Sequence, residues 1–183
     1  KECGADAVKF QLFVGDTFHP ASILKREKGM ASELEMYKCD QASHAELKAH
    51  SDKVGIDFAS TAFTEADVDF LADLGVSFLQ LASMDADNQH FIKYIADKGM
   101  PTIFSTGLAT WSEVAASVEC FKPKNLHNLC LMHVIALYPP QDRQLNLRKI
   151  QSMRNLFGVP VGYSDHSLGF SIPLASVALG AVA

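Results

Sequence analysis

The sequence predicts an α/β fold, a (β/α)8 TIM barrel of which about six βα units are present. Three observations predict it. Helix-like stretches end in glycine and lead into apolar, β-branched or aromatic runs, again and again along the chain. The runs are almost continuously apolar, as strands covered on both faces by other elements are. Neither G-x-G-x-x-G nor G-x-x-x-x-G-K-[ST] occurs, so a doubly wound nucleotide-binding sheet is the poorer assignment.

Taken in order, the first strand is Ala5-Asp6-Ala7-Val8-Lys9-Phe10-Gln11, entered through Gly4. Asp16–Gln41, with Pro20, a charged Lys25–Lys28 cluster and Gly29, reads as an excursion over one end of the sheet whose charges are solvated. Ser43-x-x-Glu46 predicts a capping box, in which side chains satisfy the orphan N–H groups of a first helical turn. Gly55 then leads into Ile56–Thr61, and Val68, Leu71 and Leu74 form the apolar stripe of the following helix. Gly75 opens Val76–Ser83, and Gly99 opens Met100–Thr106. A second box, Thr110-x-x-Glu113, starts a helix with Val114, Val118 and Phe121 on one face. Leu129–Val134 follows without its glycine, and Gly158 precedes Val159–His166. After the long first connection, the starts recur at roughly 21–31 residues, the length of one βα unit.

Both ends read as cut. Lys1-Glu2-Cys3-Gly4 resembles the tail of a helix, and Ala178–Ala183 stops where another strand is due. The expectation is therefore one partial barrel domain over residues 1–183, with the first and last strands outside it.

Composition limits the partners. Hydrophobic residues make up 48% and charged residues 20% of 183, which is globular and long enough to bury a core without disulfides or metal. Sixteen basic against 21 acidic residues give −5 with no basic block, which argues against nucleic acid and anionic membrane. Cys3, Cys39, Cys120 and Cys130 lie far apart without a C-x-x-C pair and read as reduced thiols of a cytoplasmic protein. No apolar run approaches the roughly 20 residues of a membrane span.

Barrels of this type act at the carboxyl ends of their strands. Those ends carry Lys9 and Gln11, Ser60 and Thr61, Gln80 and Ser83, Ser105 and Thr106, His133, then Ser164, Asp165 and His166. Any one hydroxyl can merely cap the next helix; together they describe a ring of donors suited to an anion. Lys9 sits within an apolar run, and a lysine buried there needs a bound anion, the favoured partner, or a structural ion pair. Asp165-His166 reads either as a metal ligand with an oriented imidazole or as a general base. His133, between Met132 and Val134, reads as a satisfied core histidine. Tyr138, followed by Pro139-Pro140, either holds a phenol over the site or packs in a rigid turn.

With these residues in view, the chain resembles the sialic acid synthase family, which includes related nonulosonic acid synthases and spore-coat polysaccharide biosynthesis homologues. The matching stretches are Gly4–Gln11, Ser105–Thr110, Asn146-Leu147-Arg148, Val159–Gly169 and Val177–Ala181, in order over essentially the whole chain. The resemblance implies condensation of phosphoenolpyruvate with an N-acylated amino sugar such as N-acetylmannosamine, with loss of phosphate. It implies catalytic roles for Lys9, Gln11, Tyr138 and Asp165, and phosphoenolpyruvate contacts from Lys9, Thr61, Ser83, Ser105 and Ser164. It also implies a divalent metal, Mn²⁺ or Mg²⁺, on His166 and a second histidine beyond residue 183. A homodimer and a small C-terminal antifreeze-like domain complete the family pattern. Two departures stand out: Gln80 where the family has lysine, and Val134-Ile135-Ala136 where it has small polar residues. Two other readings keep the fold: a paralogue that binds a sugar or a partner without turnover, and a keto-acid lyase or aldolase using Lys9 as a Schiff-base amine.

Overall fold

A computed structural model describes residues 1–13, 36–122 and 125–183. The excursion expected over Asp16–Gln41 lies almost wholly outside them. Among the described residues six strands alternate with helices, the α/β succession of a (β/α)8 barrel. They divide into two compact units, Lys1–Leu79 and Gln80–Ala183.

The first unit holds β1 (Ala7–Gln11), α1 (Gln41–Val54), β2 (Asp57–Thr61), α2 (Glu65–Leu74) and the start of β3 (Phe78–Leu81). The helix entry expected at Ser43 moves upstream: Asp40 is the N-cap, its carboxylate accepting from Ser43 N–H at 3.0 Å. Asp is among the best capping residues, and its extended backbone lets the carboxylate meet the third orphan donor, leaving Ser43 inside the turn. At α2 the sequence hid a reciprocal box, Thr64 with Asp67, whose bonds measure 3.1 and 3.0 Å. Gly55 closes α1 in the left-handed region at φ 71°, the conformation that admits glycine without a Cβ clash. β1 and β2 pair in parallel, Val8 with Phe58 and Gln11 with Thr61.

The second unit continues with α3 (Gln89–Lys98), β4 (Thr102–Ser105), α4 (Trp111–Phe121), β5 (Leu129–Val134), α5 (Lys149–Phe157), β6 (Val161–Ser164) and α6 (Ser171–Ala178). The predicted box at Thr110 forms: Thr110 N–H donates to Glu113 Oε2 at 2.6 Å, and Glu113 N–H to Thr110 Oγ1 at 3.4 Å. Val114, Val118 and Phe121 are buried from it as one face. β4 pairs with β5 and β5 with β6, all parallel, Ser105 opposite Met132 and Val134 opposite Ser164. Beyond α6, Val182 N–H donates to Val161 O and Tyr163 N–H to Ala183 O, so the last residues lie along β6. Phe58, Phe104, Leu81 and Leu131 are fully buried. Each such side chain stabilises by roughly 1.5–3 kcal/mol relative to exposure.

All four cysteines are free thiols. Burial raises the pKa of Cys39, Cys120 and Cys130, which opposes thiolate chemistry. No helix among the described residues is long and apolar enough to cross a membrane.

Candidate functional site

In the first unit the ladder sorts the side chains. Residues paired in register lie on one face, and successive residues alternate. Lys9, Gln11, Ala59 and Thr61 therefore share one face of β1 and β2, and Val8, Phe10, Phe58 and Ser60 the other. The second face is the one that meets α1. Phe10 and Phe58 stack at 5.6 Å, and His44 of α1 meets Phe58 edge-on at 5.9 Å. Ser60 thus leaves the expected ring of donors: its Oγ lies 2.8 Å from His44 Nε2 in the helix-facing layer.

Lys9 corrects the expectation of burial. Its flanking Val8 and Phe10 are half-buried, but alternation turns Lys9 and Gln11 the other way, and both are exposed. Neighbouring protein still desolvates the Lys9 ammonium enough to lower its pKa. Thr61, on the same face, is fully buried.

In the second unit the same alternation puts Ser105, Met132, Val134, Gly162 and Ser164 on one face of β4, β5 and β6. His133, Leu131 and Tyr163 take the opposite face, toward the helices. His133 is buried, its Nε2–H donates to Leu145 O at 2.6 Å, and burial lowers its pKa, so it is the neutral core histidine the sequence suggests. A cavity of about 290 Å³ lies on this helix side, lined by Thr106, Trp111, His133, Lys149 and Met153 among others.

On the serine face, two hydroxyls are set in the same manner. Gln80 Nε2 donates to Ser105 Oγ at 3.0 Å, and Gly107 N–H donates to Ser83 Oγ at 3.0 Å. Each bond occupies a lone pair and leaves the hydroxyl proton for a third group. No acceptor for either proton is found among the described residues. A Cβ at position 107 would stand 2.8 Å from Val134 Cγ1 and 3.1 Å from Ser83 Oγ, so a larger residue there forces a neighbour to shift. Thr106 does not join these donors, since its Oγ1–H is spent on Met132 O at 3.0 Å. Ser164, on the same face, is half-buried.

The turn after β6 carries Asp165 and His166. Asp165 accepts from Ser167 N–H at 2.9 Å, and burial together with the nearby Asp165 carboxylate pushes the Tyr163 pKa up to about 12. The bond from Ser167 ties Asp165 to its own turn. His166 Nδ1 is 3.0 Å from Ile135 O, so the Nδ1–H tautomer donates there and leaves the Nε2 lone pair without a partner among the described residues. Tyr138 is 78% exposed and its ring lies over the His166 imidazole, centroids 4.0 Å apart and 29° between planes. Its phenol ring is thus exposed and stacked on His166 rather than buried in the turn. A backbone carbonyl that orients an imidazole through Nδ1 fits a metal ligand at Nε2, but His166 offers one ligand only. No group of three or more His, Cys, Asp or Glu suited to a metal occurs among the described residues.

Asp85 was not legible as a site residue. It stands in the short turn that Ser83 begins, its Oδ2 is buried without a partner among the described residues, and burial with Asp87 nearby raises its pKa. The only sequence signal is a carboxylate two residues after a strand-end serine.

A profile described as the NeuB family matches residues 1–183. The N,N'-diacetyllegionaminic acid synthase of Legionella pneumophila is 36% identical over 194 residues, which cover 99% of this chain and 54% of the relative. Human N-acetylneuraminate-9-phosphate synthase is 32% identical over 190 residues, covering 99% and 53%. Among solved structures, the N-acetylneuraminic acid synthetase of Leptospira borgpetersenii, in complex with citrate, aligns with a TM-score of 0.88 at 32% identity. That alignment covers 98% of this chain and 61% of that one. A Thermotoga maritima phospho-2-dehydro-3-deoxyheptonate aldolase, 17% identical with a TM-score of 0.76, shares the fold. The chain spans about half the length of the curated relatives it matches.

Proposed function

The chain belongs to the NeuB family, and on that premise we propose that the whole protein condenses phosphoenolpyruvate with an N-acylated amino sugar, N-acetylmannosamine or a relative. The products are a sialic-acid-type nonulosonic acid and phosphate. The observation that supports the reading is the pair Ser83 and Ser105, each accepting a hydrogen bond and so left with its own proton to donate. Two such donors suit the oxygens of an anion.

In this reading Lys9, Thr61, Ser83, Ser105 and Ser164 contact phosphoenolpyruvate. Lys9 supplies the charge, and its desolvation strengthens any bond it makes to an anion. Gln11 and Tyr138 serve the sugar and the pyruvyl group. Asp165 fixes the turn that presents His166. His166 would supply one ligand to Mn²⁺ or Mg²⁺, which when bound polarises the sugar aldehyde as a Lewis acid. The enol carbon of phosphoenolpyruvate bonds to the aldehyde carbon, water adds at the neighbouring carbon, and phosphate leaves with its C–O bond broken.

The test is phosphate release from phosphoenolpyruvate by the full-length protein. Release should require both an N-acylmannosamine-type sugar and a divalent metal. Absence of release across N-acetylmannosamine, its 6-phosphate and diacetylated analogues would overturn the reading. A binding paralogue, favoured by the uncharged Gln80 and by Val134 packed on Gly107, would instead show calorimetric sugar binding without turnover. Trapping by borohydride with pyruvate would reveal an imine on Lys9, which the condensation does not form.

A further inference from the structure

We propose that Gln80 is a positioning residue: its carboxamide holds Ser105 as a hydrogen-bond donor toward the bound anion. The inference rests on the reading of this face as a phosphoenolpyruvate site and adds the device that sets its polarity. Gln80 of β3 reaches Ser105 at the end of β4, across 25 residues of sequence, with Nε2 donating to Oγ at 3.0 Å. Ser105 is only 4% exposed, so its hydroxyl has few alternatives. A serine hydroxyl has one proton. With the Gln80 amide on a lone pair, that proton turns to the ligand.

The direction of this bond depends on the chemistry of residue 80. An amide N–H or an ammonium can only donate to Oγ, and both keep Ser105 as a donor. A carboxylate can only accept; it would draw the Ser105 proton to itself and present lone pairs to the anion. An apolar side chain leaves the hydroxyl free to rotate. Gln80 is neutral, so within the second unit it orients a donor without contributing charge. Gly107 does the same for Ser83 through its backbone N–H, which no side-chain substitution can reverse. Of the two oriented hydroxyls, Ser105 is therefore the one whose polarity a single substitution can set.

The experiment is titration calorimetry of phosphoenolpyruvate on the full-length protein at one salt concentration, with steady-state kinetics beside it. Gln80→Met should weaken binding by roughly 3–10-fold, the worth of one neutral hydrogen bond. Its KM for phosphoenolpyruvate should rise while kcat changes little. In a Ser105→Ala background the same substitution should cost less than about 2-fold, because nothing is left to orient. Gln80→Glu, nearly the same shape, should bind more weakly than Gln80→Met. Gln80→Lys, a donor with charge, should bind roughly 5–30-fold tighter than wild type. Thermal melts of each variant check folding; should Gln80→Met fail to fold, the near-isosteric Gln80→Glu cycle with Ser105→Ala decides. Wild-type binding with additive losses in the cycle, or an unaltered Gln80→Met, overturns the role of Gln80 alone. Failure of the wild type to bind phosphoenolpyruvate overturns the reading of the site and this role with it.

Discussion

The imidazole of His44 on α1 and the hydroxyl of Ser60 on β2 meet at 2.8 Å, and both residues are fully buried. His44 Nδ1 lies 3.0 Å from Asp40 O, so Nδ1–H donates there and Nε2 accepts from Ser60. The helix cap, the helix and the strand are thus joined through one neutral ring.

That ring predicts a pH dependence of stability. Burial lowers the His44 pKa below its ordinary 6.5, against the opposing pull of Asp40 and Asp67. The unfolded chain takes up the proton first as pH falls, so stability is complete above about 6.5 and is lost below it toward the folded pKa. His133 contributes with the same sign, whereas Asp85, whose pKa is raised, contributes with the opposite one. Urea midpoints should fall between pH 7.5 and pH 5.5, and His44→Gln should flatten the profile. An equal slope in the variant would show that His44 titrates without consequence.

Gly107→Ala should destabilise by about 1–3 kcal/mol, since the new methyl group meets Val134 and Ser83 in a packed corner. Thermal denaturation reads the loss. Val134→Ala should recover part of it, because Val134 Cγ1 is the atom in the way. A double variant no more stable than Gly107→Ala would place the strain elsewhere.

Thr110→Ala removes one half of the box at the start of α4. The expected cost is about 1 kcal/mol, the usual worth of an N-cap. Because the Glu113 pKa is held low by Thr110 N–H and Oγ1, part of that cost should vanish in acid as Glu113 protonates. Denaturation of wild type and variant at neutral and low pH measures both effects.

For the metal, exhaustive chelation of the full-length protein should abolish sugar-dependent phosphate release, and added Mn²⁺ should restore it. His166→Ala should lose activity that Mn²⁺ does not restore. Tyr138→Phe, which keeps a ring over the imidazole, should retain metal affinity better than Tyr138→Ala. Undiminished activity after chelation would exclude the metal.

Much of this was written locally. The glycine before five of the runs and the apolar continuity of all of them located the six described strands to within about two residues, because helix closure and burial on both faces leave strong local marks. Thr110 and Glu113 were legible for the same reason. The misses concern choices between near neighbours or contacts between distant residues. Asp40 and Ser43 can each cap, and only the backbone angle at Asp40 decided it. Lys9 read as buried because its neighbours are apolar, yet the two-residue period puts it on the face away from α1, where it is exposed. Ser60 and Ser105 looked alike as strand-end hydroxyls. One meets His44, 16 residues earlier, and the other Gln80, 25 residues earlier, on opposite kinds of face. Nothing local distinguishes them.

The alternation along β5 has a consequence for how this chain can vary. Met132 and Val134 serve the face with Ser105 and Ser164, while His133 between them serves the helices. Deleting or inserting one residue inside this hexapeptide would exchange the two populations wholesale, sending an imidazole to the face of Ser105 and Ser164 and methyl groups to the Leu145 carbonyl. Such a change cannot be repaired one position at a time. Length variation among descendants of this sequence should therefore collect in the connections, while the strand drifts by substitution alone, each position answering to its own clientele.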